Sequence, residues 1–221
     1  MLGYFPAPYP DEMLFNTLVR YARTMPAVSN TQILIDLFGR SNITINLDFP
    51  VLLQELHARL PPGMKGSITV DQLIDNHTLF GLVSPFKSQQ EIDNLREAMR
   101  AGTLRSAYSS RLNQDSSRST YLRLCTGCLR ADIAAGRELY WRRTHQIACV
   151  RVCLEHSLWL ADSSIKRSAL AYNEFNLMKP ELPNDMPERQ INPLNLEEQA
   201  LLCLAQYVRW LLNNPTRRPA E

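Results

Sequence analysis

Residues 121–160 read YLRLCTGCLRADIAAGRELYWRRTHQIACVRVCLEHSLWL. The stretch holds Cys125-x2-Cys128 and, 24 residues later, Cys153-x2-His156. A two-residue gap lets both side chains of a knuckle point at one ion, and two such pairs close a tetrahedral sphere. Cys125, Cys128, Cys153 and His156 are therefore expected to hold Zn2+. Disulfide pairing competes with this, but the chain has five cysteines, an odd number, and nothing in it points to an oxidising compartment. Cys149 is expected to be a small buried thiol and Cys203 to belong to the core side of a last helix. His145 is expected to pack against the knuckle, whereas His57 and His77 read as structural or solvent-facing.

Outside this stretch the composition sets limits. The chain has 221 residues, 45% of them hydrophobic and 21% charged. That apolar content, with a net charge of only +2, excludes disorder as the dominant state. No apolar run approaches the roughly 18–20 residues of a membrane helix. Met1–Asp11 has neither the basic nor the apolar region of a secretory signal, so a cytoplasmic protein is expected. Charge is distributed unevenly. Residues 1–95 carry 6 Lys and Arg against 9 acids, residues 96–167 carry 13 against 6, and residues 168–221 carry 5 against 7. Twelve of the thirteen middle cations are arginine, whose planar fork suits phosphates and carboxylates. A face for nucleic acid or an acidic partner, and a solvated salt-bridged surface, are both compatible with this pattern.

Short punctuated helices are expected before the cysteine stretch. Pro10 and Asp11 open one with Leu14, Leu18, Tyr21 and Ala22 on a shared face, ended by Met25-Pro26. Asn30 caps a second, with Ile33, Leu34, Leu37 and Phe38 apolar and Gly39 at its end. Together they form a helix-turn-helix-like pair. Asp48 and Pro50 start a third, with Leu52, Leu53, Leu56 and Leu60 inward and Pro61-Pro62 stopping it. Thr69/Gln72 and Ser88/Glu91 are capping boxes for two more, bearing Leu73 and Ile74, then Ile92, Leu95 and Met99. Residues 109–120 read as a loop. The aromatics and the Val150/Val152 alternation in 121–160 favour brief strands. Residues 179–195, with four prolines, form the end of a 166–195 linker. Asn195 and Glu198 start a final helix with Leu201, Leu204, Ala205, Val208 and Leu211 in register, and the tail from Asn213 frays. The expected fold is thus mainly α, with a helical unit over 1–110, a small Cys3His zinc finger over 111–165, and a C-terminal helix over 196–221.

Catalysis is not expected. Four protein ligands leave no open position on the metal. The chain has no His-Glu-x-x-His, no phosphate loop, no Gly-x-Ser-x-Gly, and no His-x-Glu beside the knuckle.

The zinc segment resembles that of the TniQ family of transposition target-selection proteins. Beyond the ligands, Asp132, Gly136, Tyr140, Trp141, Arg142, Arg143, His145 and Gln146 stand in the family's places. The stretch Phe5–Phe15, FPAPYPDEMLF, is similar to the family's opening. Residues 71–80, DQLIDNHTLF, followed by Ser84-Pro85-Phe86, are similar to the TnsD-type members, and the chain as a whole most resembles the TnsD-type and CRISPR-associated transposon members. Thr126, Leu154 and Ser157 stand where many relatives have proline, proline and glycine. TnsD-type members continue for hundreds of residues, so this chain reads as a naturally short member or a truncated one.

The resemblance implies a non-catalytic adaptor. Such a protein links a target recogniser, either a CRISPR effector complex with its guide RNA or the target DNA itself, to the transposon's AAA+ ATPase regulator (TnsC-type). A homodimer is one form it can take. On this reading Arg123, Arg130, Arg137, Arg142, Arg143 and Arg151 are candidates for phosphate contacts. Tyr140 and Trp141 either stack on bases or pack over the knuckle. Tyr4, Phe5 and Tyr9 either dock on the ATPase or lie on the first helix. The alternative is a stand-alone sequence-specific DNA-binding protein. Its difficulty is the second helix, which offers Thr31, Gln32 and Asp36 but no arginine before Arg40.

Overall fold

The computed structural model describes residues 1–25, 28–103, 120–167, 180–181 and 188–215. The expected loop over 109–119, much of the linker and the tail beyond 215 lie outside these. Seven α-helices precede the cysteine segment: α1 Leu14–Arg23, α2 Asn30–Phe38, α3 Leu53–Arg59, α4 Pro62–Lys65, α5 Val70–His77, α6 Phe80–Val83 and α7 Gln89–Ala101. Strand β1 Tyr121–Leu124 follows, then α8 Thr126–Ala134, a 3-10 turn Thr144–Gln146, strand β2 Ala161–Lys166 and α9 Leu196–Asn213. The two strands pair antiparallel, with Arg123 opposite Asp162 and Leu124 opposite Ala161.

Local signals place most of these ends. Ser29, and not the expected Asn30, caps α2 by accepting from the Gln32 amide, with Asn30 the first helical residue; Gly39 closes the helix at φ 75°, the left-handed region that favours glycine. Both capping boxes form, at Thr69/Gln72 and at Ser88/Glu91. Asn195 accepts from the amides of Glu197 and Glu198. Other readings need correction. The third helix starts at Leu53, because Leu52 turns the chain at φ 62°. Asp48 is instead buried, its carboxylate 2.7 Å from Arg167 and its carbonyl accepting from the Leu79 amide. Residues 126–134 form a helix and not a strand or turn, as the Ala-rich run LRADIA favours.

Helix α1 is the centre of the fold. Every residue from Leu14 to Ala22 is buried, so its polar groups must be satisfied internally. Arg20 reaches Glu12 and Glu138 at 3.0 Å and donates to the Ala7 carbonyl. Phe5 and Tyr21 pack ring to ring at 5.8 Å. Among the described residues, most buried apolar side chains form one contiguous cluster from Leu2 through Leu122, Trp141 and Val150 to Ala205 and Leu212, and Cys125, Cys128, Cys153 and Leu158 form a second.

Helix α9 closes this body by packing on α5, α6 and the 144–146 turn. At Gly81 a Cβ would stand 2.8 Å from the Leu212 carbonyl oxygen, so only glycine allows α6 and α9 so close. The buried side of α9 is Glu198, Ala205, Val208 and Leu212. That corrects the expected register, for Leu204 is 38% exposed. Cys203 and Cys149 are also exposed, not buried as expected. Part of the supposed linker is docked: the Trp159 amide donates to the Arg189 carbonyl and the Ile191 amide to that of Ser157, both at 2.9 Å.

His77 supplies a pH dependence. Its Nδ1 donates to the Glu12 carbonyl at 2.9 Å, and burial pushes its pKa down from 6.5 to about 4. Between those values the unfolded chain binds a proton that the folded chain refuses, so stability falls as pH drops. The expected loss from this group is about 2 kcal/mol by pH 5. In urea titrations at pH 7 and pH 5, His77→Gln should show a smaller difference in stability than the parent protein does.

Candidate metal centre and its arginine clasp

The four expected ligands converge. The Cys125, Cys128 and Cys153 sulfurs and a His156 ring nitrogen all lie within 4.8 Å of one another. Sγ of Cys128 is 3.6 Å from that of Cys153, and His156 Nδ1 is 3.4, 3.9 and 3.7 Å from Cys128, Cys125 and Cys153. A tetrahedron with Zn–S near 2.3 Å and Zn–N near 2.0 Å has edges of about 3.5–3.8 Å. Soft thiolates with one imidazole, at these separations, suit an ion of that size.

Backbone places each ligand. Cys125 ends β1 and precedes α8, so the amides of Gly127 and Cys128 face its sulfur. Hydrogen bonds from the Cys128 and Cys153 thiols hold the Cys125 thiol well below the ordinary range, and the same interactions push Cys128 up. The second knuckle is a tight turn. The Ser157 amide donates to the Cys153 carbonyl at 3.0 Å, and Cys153 donates to Leu158 at 2.7 Å. Ser157 itself sits at φ 50°. A Cβ on Gly127 would stand 2.7 Å from the His156 ring, so this glycine is a packing requirement of the site. His145 is buried and hydrogen-bonds Cys153.

The six candidate arginines divide by exposure. Arg123 is buried, donating to the carbonyls of Ile147, Ala148 and Val150, and burial with Arg151 nearby lowers its pKa to about 10. Arg142 stacks on Tyr140 at 4.1 Å and donates to the buried Asp132 at 2.9 Å. Burial works against its charge, but Asp132 and then Cys128 outweigh that and raise its pKa. Arg137 shares Asp132 from a more exposed position, at 3.0 Å. Arg130 pairs with Glu188, which also accepts from Thr126. Arg151 is exposed.

Arg143 is the least accessible of the arginines that reach across the fold. Nε donates to Asp11 at 3.2 Å, one terminal nitrogen donates to the carbonyls of Asp75 and Thr78 at 2.7 and 3.0 Å, and the other reaches Asn213 at 3.4 Å. The backbone repeats the link: Arg143 donates to the Asp11 carbonyl at 2.7 Å and Met13 to that of Trp141 at 2.9 Å. Asp11, Glu12 and Asp132 anchor arginines of this site. They stand within stretches that carry the resemblance, Asp11 and Glu12 in FPAPYPDEMLF and Asp132 after the first knuckle, but no local pattern pairs them with those arginines. Tyr9 packs on Tyr140 at 5.0 Å and under Arg20 at 4.0 Å, and Trp141 is core. Phe5 is 3% exposed and Tyr4 is 53% exposed.

The TniQ family model matches residues 3–160, a span holding Arg143, its partners Asp11, Asp75 and Thr78, and all four expected ligands. The chain belongs to the TniQ family. It is also similar to the transposon Tn7 transposition protein TnsD of Escherichia coli, at 26% identity over 222 residues. That match covers 96% of this chain and 40% of the relative, so this TniQ chain spans about 40% of the relative's length.

Arg143→Met leaves Asp11 and the α5 carbonyls without their cation and should cost about 3 kcal/mol in urea titration. Gly127→Ala should weaken Co2+ binding, read from its d–d absorption, by about 10- to 100-fold with every ligand retained. Cys125→Ser should remove the thiolate-Co2+ spectrum of the native site altogether; an unchanged spectrum would mean the ligand set is wrong.

Proposed function

We propose that this chain is a non-catalytic target-selection adaptor for DNA transposition. It links a target recogniser to the transposon's AAA+ ATPase regulator and works in the cytoplasm. The observation that carries this reading is the family match across the clasp and the knuckles together. The ion is Zn2+, held by Cys125, Cys128, Cys153 and His156, and its role is structural: four protein ligands complete the sphere and leave no place for a reacting water. The clasp then joins the N-terminal segment to the knuckle as a rigid platform for other components.

Nucleic acid meets this platform at Arg130, Arg137 and Arg151, the three candidates on the surface. Arg123, Arg142 and Arg143 support the site from inside. Tyr4 is the member of the N-terminal aromatic group available to a partner such as the ATPase. The recogniser is a CRISPR effector complex carrying guide RNA, or the target DNA itself.

Selection of bound duplexes from a randomised DNA library, near physiological salt, separates these cases. Retention without an enriched sequence supports the adaptor reading with another component naming the target. An enriched motif makes this chain the site selector. With Arg130, Arg137 and Arg151 all changed to alanine, the slope of log affinity against log salt should fall by about 2–3, since each phosphate contact contributes about 0.9. An unchanged slope removes these residues from the interface.

A further inference from the structure

Residues 188–192 lie beyond the span that the family model matches, yet they are built into the second knuckle. That knuckle is the turn of a short irregular hairpin. Val152 pairs antiparallel with Trp159, the Cys153 amide donates to the Leu158 carbonyl at 2.7 Å, and the Leu160 amide donates to that of Arg151 at 2.8 Å. Residues 189–191 lie antiparallel along the second arm of the hairpin, with Gln190 opposite Leu158. One backbone hydrogen bond of 2.9 Å stands on each side of that pair. Ser157, whose carbonyl accepts from the Ile191 amide, directly follows the ligand His156.

Side chains fasten both ends of this strap. Glu188 accepts from Thr126 and Arg130 of α8. The His156 ring lies over the start of the same helix, against Gly127, close enough for its charge to act on the Glu188 carboxylate. At the other end the buried carboxylate of Glu198, in the first turn of α9, accepts from Arg189 at 2.7 Å and from the Asn192 amide at 2.6 Å. Arg189 also lies over the Trp159 ring at 4.1 Å. Ile191 belongs to the main core and Leu158 to the cysteine cluster, so the strap joins the two.

Five residues with so few backbone bonds do not order themselves, because fixing them costs more conformational entropy than those bonds return. The strap is ordered by the hairpin it lies on. The hairpin in turn is a turn-rich segment whose order comes from ligation, since binding a structural ion supplies folding free energy. Two weakly ordered segments that meet at one ion are ordered together.

We infer that residues 188–192 belong to the metal centre: the strap holds the second knuckle in the geometry the ion requires, and the ion holds the strap, and with it the start of α9, against the body. By linkage, whatever factor the docked strap adds to metal affinity, the ion adds to docking. Glu188 is then a positioning residue that acts on His156 from across the start of α8. The inference rests on the reading of the four ligands as a metal site and extends that site to a segment outside both knuckles.

The test uses the full chain with Co2+ as the probe. Glu188→Ala with Arg189→Ala should keep the thiolate-Co2+ spectrum of the parent, because every ligand remains. Its affinity against a competing chelator should fall by about 10-fold or more. A strap that serves packing alone would lower stability in urea and leave that affinity unchanged. Hydrogen exchange reads the reciprocal effect. Stripping the ion from the parent should release the amides of Trp159, Ile191 and Asn192 and the first turn of α9, while α1 stays protected. An unchanged Co2+ affinity in the double variant, strap amides equally protected with and without the ion, or loss of protection that reaches α1 overturns the inference. Absence of the spectrum in the parent overturns the metal reading itself, and this inference with it.

Discussion

The guanidinium of Arg143 lies almost out of reach of solvent, and its donors go to three places that are far apart in sequence. Asp11 belongs to the N-terminal segment, Asp75 and Thr78 to the end of α5, and Asn213 to the last turn of α9. Taking a cation out of water costs several kcal/mol, which only an opposed charge and well-placed acceptors offset. The α5 carbonyls are suited to this, since the end of a helix concentrates unpaired C=O groups and partial negative charge. Because one planar group needs all of these acceptors at once, the segments that supply them must come to one place. Burial lowers the Arg143 pKa, and Asp11 is the largest influence against that shift.

The metal knuckle and the clasp support each other. Residues 147–160 form no regular helix or sheet and bury few large side chains, so a core alone would not order them. Arg123 gathers the carbonyls of Ile147, Ala148 and Val150, which positions the approach to Cys153. Arg142 faces both ways, bonded to Asp132 and close to Cys128. The glutamine between the clasp and the knuckle completes the link: Gln146 Nε2 donates to the Arg123 and Arg142 carbonyls at 2.8 and 3.2 Å. The N-terminal segment and the cysteine cage are therefore joined by a short series of buried polar contacts.

How much of this could be read in advance depended on how local each cause was. Capping at Ser88/Glu91, the left-handed Gly39 and the paired knuckles are set within a few residues, and all were legible. The start of α3 was not, because Asp48 looks like a helix opener until Arg167 claims its carboxylate from 119 residues away. The α9 register was ambiguous for a different reason. Apolar residues nearly encircle that helix, so spacing alone could not say whether Leu204 or Leu212 faces inward; the close approach at Gly81 decides it. Cys203 falls on the open side for the same reason. The burial of Arg123 and Arg143 was hidden because their acceptors are mostly backbone carbonyls, which every sequence has and no pattern displays.

The uneven charge along the chain has a related explanation. Arg96 and Arg100 of the basic middle pair with Asp71 and Asp75, Arg143 with Asp11, Arg167 with Asp48, and Arg130 with Glu188. In each case the acid comes from one of the acidic flanks. A basic segment between acidic ones is therefore what a chain stapled to itself looks like when laid out in a line. Total charge in such a segment overstates what it offers to a phosphate backbone, because a paired arginine must first be released. The arginines that reach solvent unpaired, and not the total, set what such a segment has to offer.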